Sequence, residues 1–342
     1  MRKSGFFLFT LLLILCGCHL PKAGKMIPTE DVVLERPTEV AETQIIEEEP
    51  TPLPALPKVV YAAESGNKLD PILRNAIPAV CEGRYDYQEI TEGNIPADAK
   101  YVIFPNVPGD LSSLLNSHPG LVPIVISEND TPPGNAWAIR YMPEALPFLA
   151  GLATEENASD WRGIGMLPSD SPLYGENMSE VFNNGGRYLC GNCRALMSPY
   201  TEYPFTVSLP SGSSAESWNA GFADAQTKYV YTVFLSDEAA QPEVFQTLLE
   251  NNIKMLGFSE PPEGLETNWL ATINYDWVGT IEEIITRSEQ GESAEMVPLK
   301  LLVIPGALKE EFSFGKTETL QGAYEKLLDG RLSPFTPTKT YE

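Results

Sequence analysis

Histidine is nearly missing from this chain, which holds two in 342 residues, and only His118 lies beyond the first twenty positions. No His-Glu-x-x-His pair, no full Gly-x-x-x-x-Gly-Lys-Ser/Thr phosphate loop and no Gly-x-Ser-x-Gly nucleophile elbow occurs. The commonest routes to metal-assisted hydrolysis, nucleotide hydrolysis and serine catalysis are therefore without their residues, and no catalytic role is expected. Glu282 and Glu283 form an acidic pair on a helix surface without the second site that a two-carboxylate hydrolase needs. Basic residues are also scarce: 23 Lys and Arg against 47 Asp and Glu leave a net charge of -24. Such a field repels a polyphosphate backbone, so no nucleic-acid partner is expected. No apolar run approaches the roughly 20 residues of a transmembrane helix. What is present, 43% apolar and 10% aromatic residues, suffices for a large core in a chain whose length suggests two domains.

The longest apolar stretch, Phe6 to Leu15, follows Arg2 and Lys3 and ends in Leu15-Cys16-Gly17-Cys18. This is the charged, apolar, small-residue order of an export signal, and ten residues would span only about 15 Å as a helix. The four residues resemble the bacterial lipobox, which implies a signal peptide over residues 1–17 and lipidation of Cys18 with palmitate-like acyl chains. Several such chains hold a protein stably at the membrane. An ordinary cleavage site in a secreted protein is the alternative. Between Ile27 and Pro57 lie six prolines and eight acidic residues against one base. Such a segment cannot offset its ordering entropy by burial, so residues 18–57 are expected to form an extended acidic tether.

From Lys58 onward short apolar runs alternate with polar loops and stretches of helical period, the pattern of a parallel sheet covered by helices. The runs at 59–63, 101–104, 122–126 and 136–139 predict a first lobe over residues 58–156. Those at 163–167, 205–209, 229–235, 253–258 and 270–274 predict a second lobe over 157–292. The polar stretch around Glu155 to Trp161 is expected to be the hinge. Residues 293–342, with a strand at 300–304 and a helix at 317–329, form a return segment expected to pack on the first lobe. The fold class expected is α/β, with two doubly wound parallel-sheet lobes and a central cleft. Ligands bind beyond the carboxyl ends of such strands.

Three segments carry a family resemblance. Arg140-Tyr141-Met142-Pro143-Glu144-Ala145-Leu146-Pro147-Phe148-Leu149-Ala150-Gly151-Leu152-Ala153, Arg162-Gly163-Ile164-Gly165-Met166-Leu167-Pro168-Ser169-Asp170 and Leu270-Ala271-Thr272-Ile273-Asn274-Tyr275-Asp276-Trp277 resemble strand-to-helix passages of the basic membrane protein family. These are lipid-anchored substrate-binding proteins with the type I periplasmic-binding fold. The resemblance implies a two-lobed, extracytoplasmic, membrane-anchored protein that passes a small polar or aromatic ligand, nucleoside-like in the family, to the permease of an ABC importer. The chain differs from the family where Asn274, Tyr275 and Asp276 replace a usual Lys. A sensory or structural surface lipoprotein that reuses the fold without transport is the alternative.

The candidate ligand-binding residues are the short polar side chains at strand ends, Ser65, Asn67, Asn106 and Glu128 in the first lobe and Asp170 and Asp237 in the second. Tyr141, Trp218 and Tyr275 lie beside such loops, where their rings could stack on a planar ligand. Turn formation by the polar residues and core packing by the rings are the competing roles. Cys190 and Cys193 have the spacing of a small disulfide, with a reduced pair as the alternative. No four-ligand set for a metal and no cofactor motif is evident, and Cys81 is expected to be buried.

Overall fold

The computed structural model describes residues 55–91, 95–129, 134–175 and 177–335. The expected signal peptide 1–17, Cys18 and all but the last three residues of the tether lie outside them. The chain forms β1 (Lys58–Ala62), α1 (Asp70–Cys81), β2 (Asp86–Ile90), β3 (Ala99–Phe104), α2 (Leu111–Ser117), β4 (Val122–Ser127) and β5 (Trp137–Arg140). There follow α3 (Ala145–Asn157), β6 (Gly163–Pro168), α4 (Met178–Cys190), β7 (Phe205–Leu209), α5 (Ala215–Gln226), β8 (Thr232–Leu235), α6 (Pro242–Glu250), β9 (Lys254–Gly257) and β10 (Trp269–Asp276). The last elements are α7 (Trp277–Glu289), β11 (Met296–Pro298), β12 (Lys300–Pro305) and α8 (Phe314–Leu328).

Two six-stranded sheets result, ordered β11-β5-β4-β3-β1-β2 and β12-β10-β9-β8-β6-β7. Every pairing is parallel except that of β10 with the edge strand β12. The central strands are buried on both faces, which is why they read as unbroken apolar runs such as Val122-Pro123-Ile124-Val125-Ile126. β2 and β11 escape that reading: Asp86-Tyr87-Gln88-Glu89-Ile90 is a half-exposed edge strand and Met296-Val297-Pro298 is only three residues long.

The lobe limits differ from those expected at 156/157 and 292/293. Helix α3 packs on β6, β8 and α4, so it belongs to the second lobe, and α7 packs on α1 in the first. The reason lies in α3 itself: Ala-Leu-Pro-Phe-Leu-Ala-Gly-Leu-Ala is apolar all round and is buried on every side. Glu155 therefore sits in that core and not in a polar hinge. Helix α8 packs on α3 and β12, in the second lobe and not the first.

The chain crosses between lobes three times, at Tyr141–Glu144, at Asp276–Trp277 and at Leu299. These crossings are tied to one another. The Leu299 amide donates to the Arg140 carbonyl at 3.0 Å, the Tyr275 hydroxyl to the Met142 carbonyl at 2.5 Å, and the Tyr324 hydroxyl to the Leu299 carbonyl. Asp276 caps α7 by accepting from the Gly279 amide at 2.8 Å, which turns the chain out of β10 straight into a helix. The Tyr141, Tyr275 and Trp277 rings, 5.7 to 6.4 Å apart, fill the space between the crossings.

Two carboxyl groups at the end of α3 make the second lobe sensitive to pH. Burial pushes the Glu155 carboxyl well above the usual range, and burial raises that of Glu156 to about 7, against the partial offset of the Lys316 ammonium. The folded state thus keeps protons that the unfolded chain releases from about pH 4.3 upward. Stability from these groups is present at low pH and is lost as pH rises toward their folded values. Chemical denaturation at pH 5 and pH 8 should show the native chain losing roughly 1–2 kcal/mol more than Glu156→Gln, after allowing for the partial exposure of Glu156. Equal losses in the two proteins would refute the assignment.

Candidate functional site

Because the chain leaves β5, β10 and β11 at their carboxyl ends to change lobes, those ends of both sheets converge on the crossings. The loops after β1, β3 and β4 therefore face the loops after β6, β8 and β9. On the first-lobe side a cavity of about 330 Å³ opens at the ends of β1, β3, β4 and β5, and Asn67, Asn106, Glu128 and Tyr141 line it together.

The cavity wall is a connected set of hydrogen-bonding groups. Lys68 Nζ lies 2.8 Å from Glu128 Oε1 and 5.7 Å from the centre of the Tyr141 ring. Glu64 accepts from Asn67 Nδ2 at 3.3 Å and from Asn106 Nδ2, which links the loops after β1 and β3. Asn67 Oδ1 also accepts from the Leu69 amide at 2.9 Å and so shapes the turn that starts α1. Ser65 stands exposed at the tip of the same loop.

On the second-lobe side Asp170 Oδ1 accepts from the Ser211 amide at 2.7 Å, and that hydrogen bond holds its carboxyl below the ordinary range. Asp237 accepts from Ser259 Oγ at 2.6 Å and from the Tyr174 hydroxyl at 3.3 Å. The Tyr174 ring stacks on Phe258, 4.4 Å between centres, which fixes this pair at the base of the lobe. Glu144, at the first crossing, lies against Gly175, where a Cβ atom would come within 3.1 Å of Glu144 Oε1.

The aromatic residues expected to stack on a ligand are placed otherwise. Trp218 is fully buried within α5 among Tyr203, Phe222 and Val233, in the core of the second lobe. Tyr275 is buried with its hydroxyl spent on Met142, and burial raises it well above the usual tyrosine range. Tyr141 borders the cavity but is 2% exposed, its hydroxyl bonded to the Leu173 carbonyl. Large apolar rings next to a strand end gain more from the core than from the cleft. Sequence reasoning missed Glu64, Lys68, Tyr174 and Ser259. The two former were legible as charges flanking Asn67, whereas Tyr174 lies six residues beyond the end of β6 and before α4, with nothing local to mark it.

Cys190 and Cys193 form a disulfide that closes the end of α4, and Cys81 is free and buried. Among the described residues no group of His, Cys, Asp and Glu could hold a metal ion, and no helix is long and apolar enough to cross a membrane.

No family model and no curated protein matches the chain. Solved structures do. A solute-binding protein of an ABC transporter system from Conexibacter woesei is 13% identical, with a TM-score of 0.54 over 82% of this chain and 98% of that one. An ABC transporter solute-binding protein from Aeropyrum pernix is 10% identical over 84% and 95%, with a TM-score of 0.48. The transcriptional repressor ascG of Escherichia coli is 13% identical over 74% and 98%, also at 0.48. The first likeness, with the two parallel sheets and three crossings, defines the class: an α/β two-lobed, type I periplasmic-binding-like fold.

Proposed function

We propose that this chain is an extracytoplasmic solute-binding protein, anchored through lipidated Cys18, that takes a small polar ligand between its lobes and presents it to the permease of an ABC importer. The observation that carries this reading is the cavity at the first-lobe strand ends, where Asn67, Asn106 and the Lys68–Glu128 pair face the second lobe. Exposed donors and acceptors on one lobe, opposed by Asp170 and Asp237 on the other, suit a ligand that bridges the two and favours closure. A nucleoside, as the resemblance to the basic membrane protein family suggests, would be held by its ribose and base edges, because the three candidate rings are buried.

The test is a thermal-shift screen of the full chain against nucleosides, purines, amino acids, sugars and polyamines. A cleft ligand at a hundredfold excess over its Kd should stabilise by about 2.7 kcal/mol. Asn106→Ala, which removes an exposed amide that among the described residues donates to Glu64 alone, should weaken that ligand about tenfold while the unliganded melting temperature stays unchanged. Should no class of solute raise the melting temperature, the transport role falls and the sensory or structural lipoprotein takes its place. The mass of the mature N-terminus tests the anchor separately.

A further inference from the structure

A second cavity, of about 490 Å³, opens near the starts of β6, β8 and β9, at the opposite end of the second lobe's strands from the cleft. Its walls differ from those of the cleft. Tyr229 and Tyr231 are 57% and 45% exposed, although both flank the fully buried Val230. Ser159, Ser198 and Asn252 supply hydroxyl and amide groups beside them.

The frame around these groups is built and rigid. Arg162 is buried beneath them, with Nε on Asp160 at 3.0 Å, Nη1 on the Lys228 carbonyl at 2.7 Å and Nη2 on the Met197 carbonyl at 2.7 Å. Its guanidinium carbon lies 5.8 Å from the Tyr229 ring centre. The Tyr231 amide donates to the Arg162 carbonyl at 2.9 Å, and its own carbonyl accepts from the Lys254 amide at 3.1 Å, which fixes that tyrosine between β6 and β9. Asp160, Tyr229 and Asn252 hold left-handed backbone conformations, with φ of 55°, 59° and 54°. Such conformations are costly away from glycine and persist only where the surroundings impose them.

The chemistry of the lining narrows what fits. Its charges are already matched, Arg162 by Asp160 and Lys254 by Glu311, so an ion gains no unpaired partner there. Among the lining residues Met197 is the one aliphatic hydrophobe, so the apolar wall that a ligand meets is largely the faces of the two tyrosine rings. What remains is a pair of exposed phenol rings among hydroxyl and amide groups, complementary to a molecule with an apolar C–H face and a rim of hydroxyls. We propose that this cavity is a second binding site, distinct from the interlobe cleft, that takes a neutral saccharide by stacking on Tyr229 and Tyr231. Because the site lies away from the cleft, it stands independently of the transport reading.

The experiment is calorimetric titration of the full chain, in a detergent without a sugar headgroup, with chitotetraose, maltotetraose and xylotetraose. At least one should saturate the protein with a Kd below about 1 mM. Tyr231→Ala should raise that Kd about tenfold. Asn252→Gly should weaken binding as well while keeping the fold, because glycine adopts the same backbone conformation freely. Asn106→Ala, in the cleft, should leave it unchanged. The proposal is overturned if none of the three glycans saturates the protein at about 10 mM, or if Asn106→Ala abolishes binding that Tyr231→Ala and Asn252→Gly leave intact.

Discussion

Replacing Gly185 with alanine should lower the melting temperature by about 6 °C or more, the largest loss we expect from adding a single methyl group. Helices α3 and α4 meet backbone to backbone. A Cβ atom on Gly185 would stand 1.8 Å from the Phe148 carbonyl oxygen, and one on Gly151 would stand 1.9 Å from that of Phe182. Gly186 is closed in likewise by Pro204, 2.5 Å from the position of its absent Cβ. Two adjacent glycines inside a helix each weaken it by about 1 kcal/mol relative to alanine, a loss offset by the close packing they permit. Because the obstructing atoms are backbone, the helices must separate to admit a methyl group, at a cost of about 3 kcal/mol or more. Gly322 is the control. It lies inside α8 with no atom near its Cβ position and no positive φ, so Gly322→Ala should be neutral or stabilising by up to about 1 kcal/mol. Calorimetry on the two variants decides the matter, and a Gly185→Ala protein that melts with the parent would refute the close packing.

Arg162→Met should cost about 2–3 kcal/mol. The guanidinium is 3% exposed and joins three segments, through Asp160, Lys228 and Met197. Removing it takes the guanidinium donor from the Met197 carbonyl, leaves the Lys228 carbonyl to the Tyr203 hydroxyl, and costs the Asp160 carboxylate, held below its ordinary range by the Leu196 amide and then by Arg162, one of its hydrogen bonds. Arg162→Lys should recover only part of the loss, since one ammonium cannot reach three acceptors set in a planar fork. Hydrogen exchange should show the damage first at Leu196 and Tyr203, whose amides anchor the segment after the disulfide. Protection there equal to that of the parent, with an unchanged denaturation midpoint, would show that Arg162 is not the fastener.

Much of the fold was legible because buried parallel strands are apolar on both faces. Val59 to Tyr61 and Ile124 to Ile126 could hardly be anything else. The candidate site was legible only in part. Asn67, Asn106 and Glu128 follow strand ends, and topology brings them to one cavity. The rings of Trp218 and Tyr275 also follow strand ends in the sequence, yet their area is worth more inside than at a wet surface. Tyr229 and Tyr231 were passed over, since their sequence context is the start of an apolar run and nothing local says that β8 begins only at Thr232.

By itself, then, the amino-acid order determined the two α/β lobes, the acidic charge and the absence of the common catalytic motifs, since each depends on local composition or on a period of two or 3.6 residues. Only the tertiary structure decided where the lobes divide. An apolar helix such as α3 carries no mark of which sheet will bury it. The crossings at Tyr141, Asp276 and Leu299 are tied to one another by contacts between residues more than a hundred positions apart, as when the Tyr275 hydroxyl meets the Met142 carbonyl and the Leu299 amide the Arg140 carbonyl. The same holds for the cavity over Arg162, whose members come from four separate segments and acquire a common purpose only when the second sheet has closed around them.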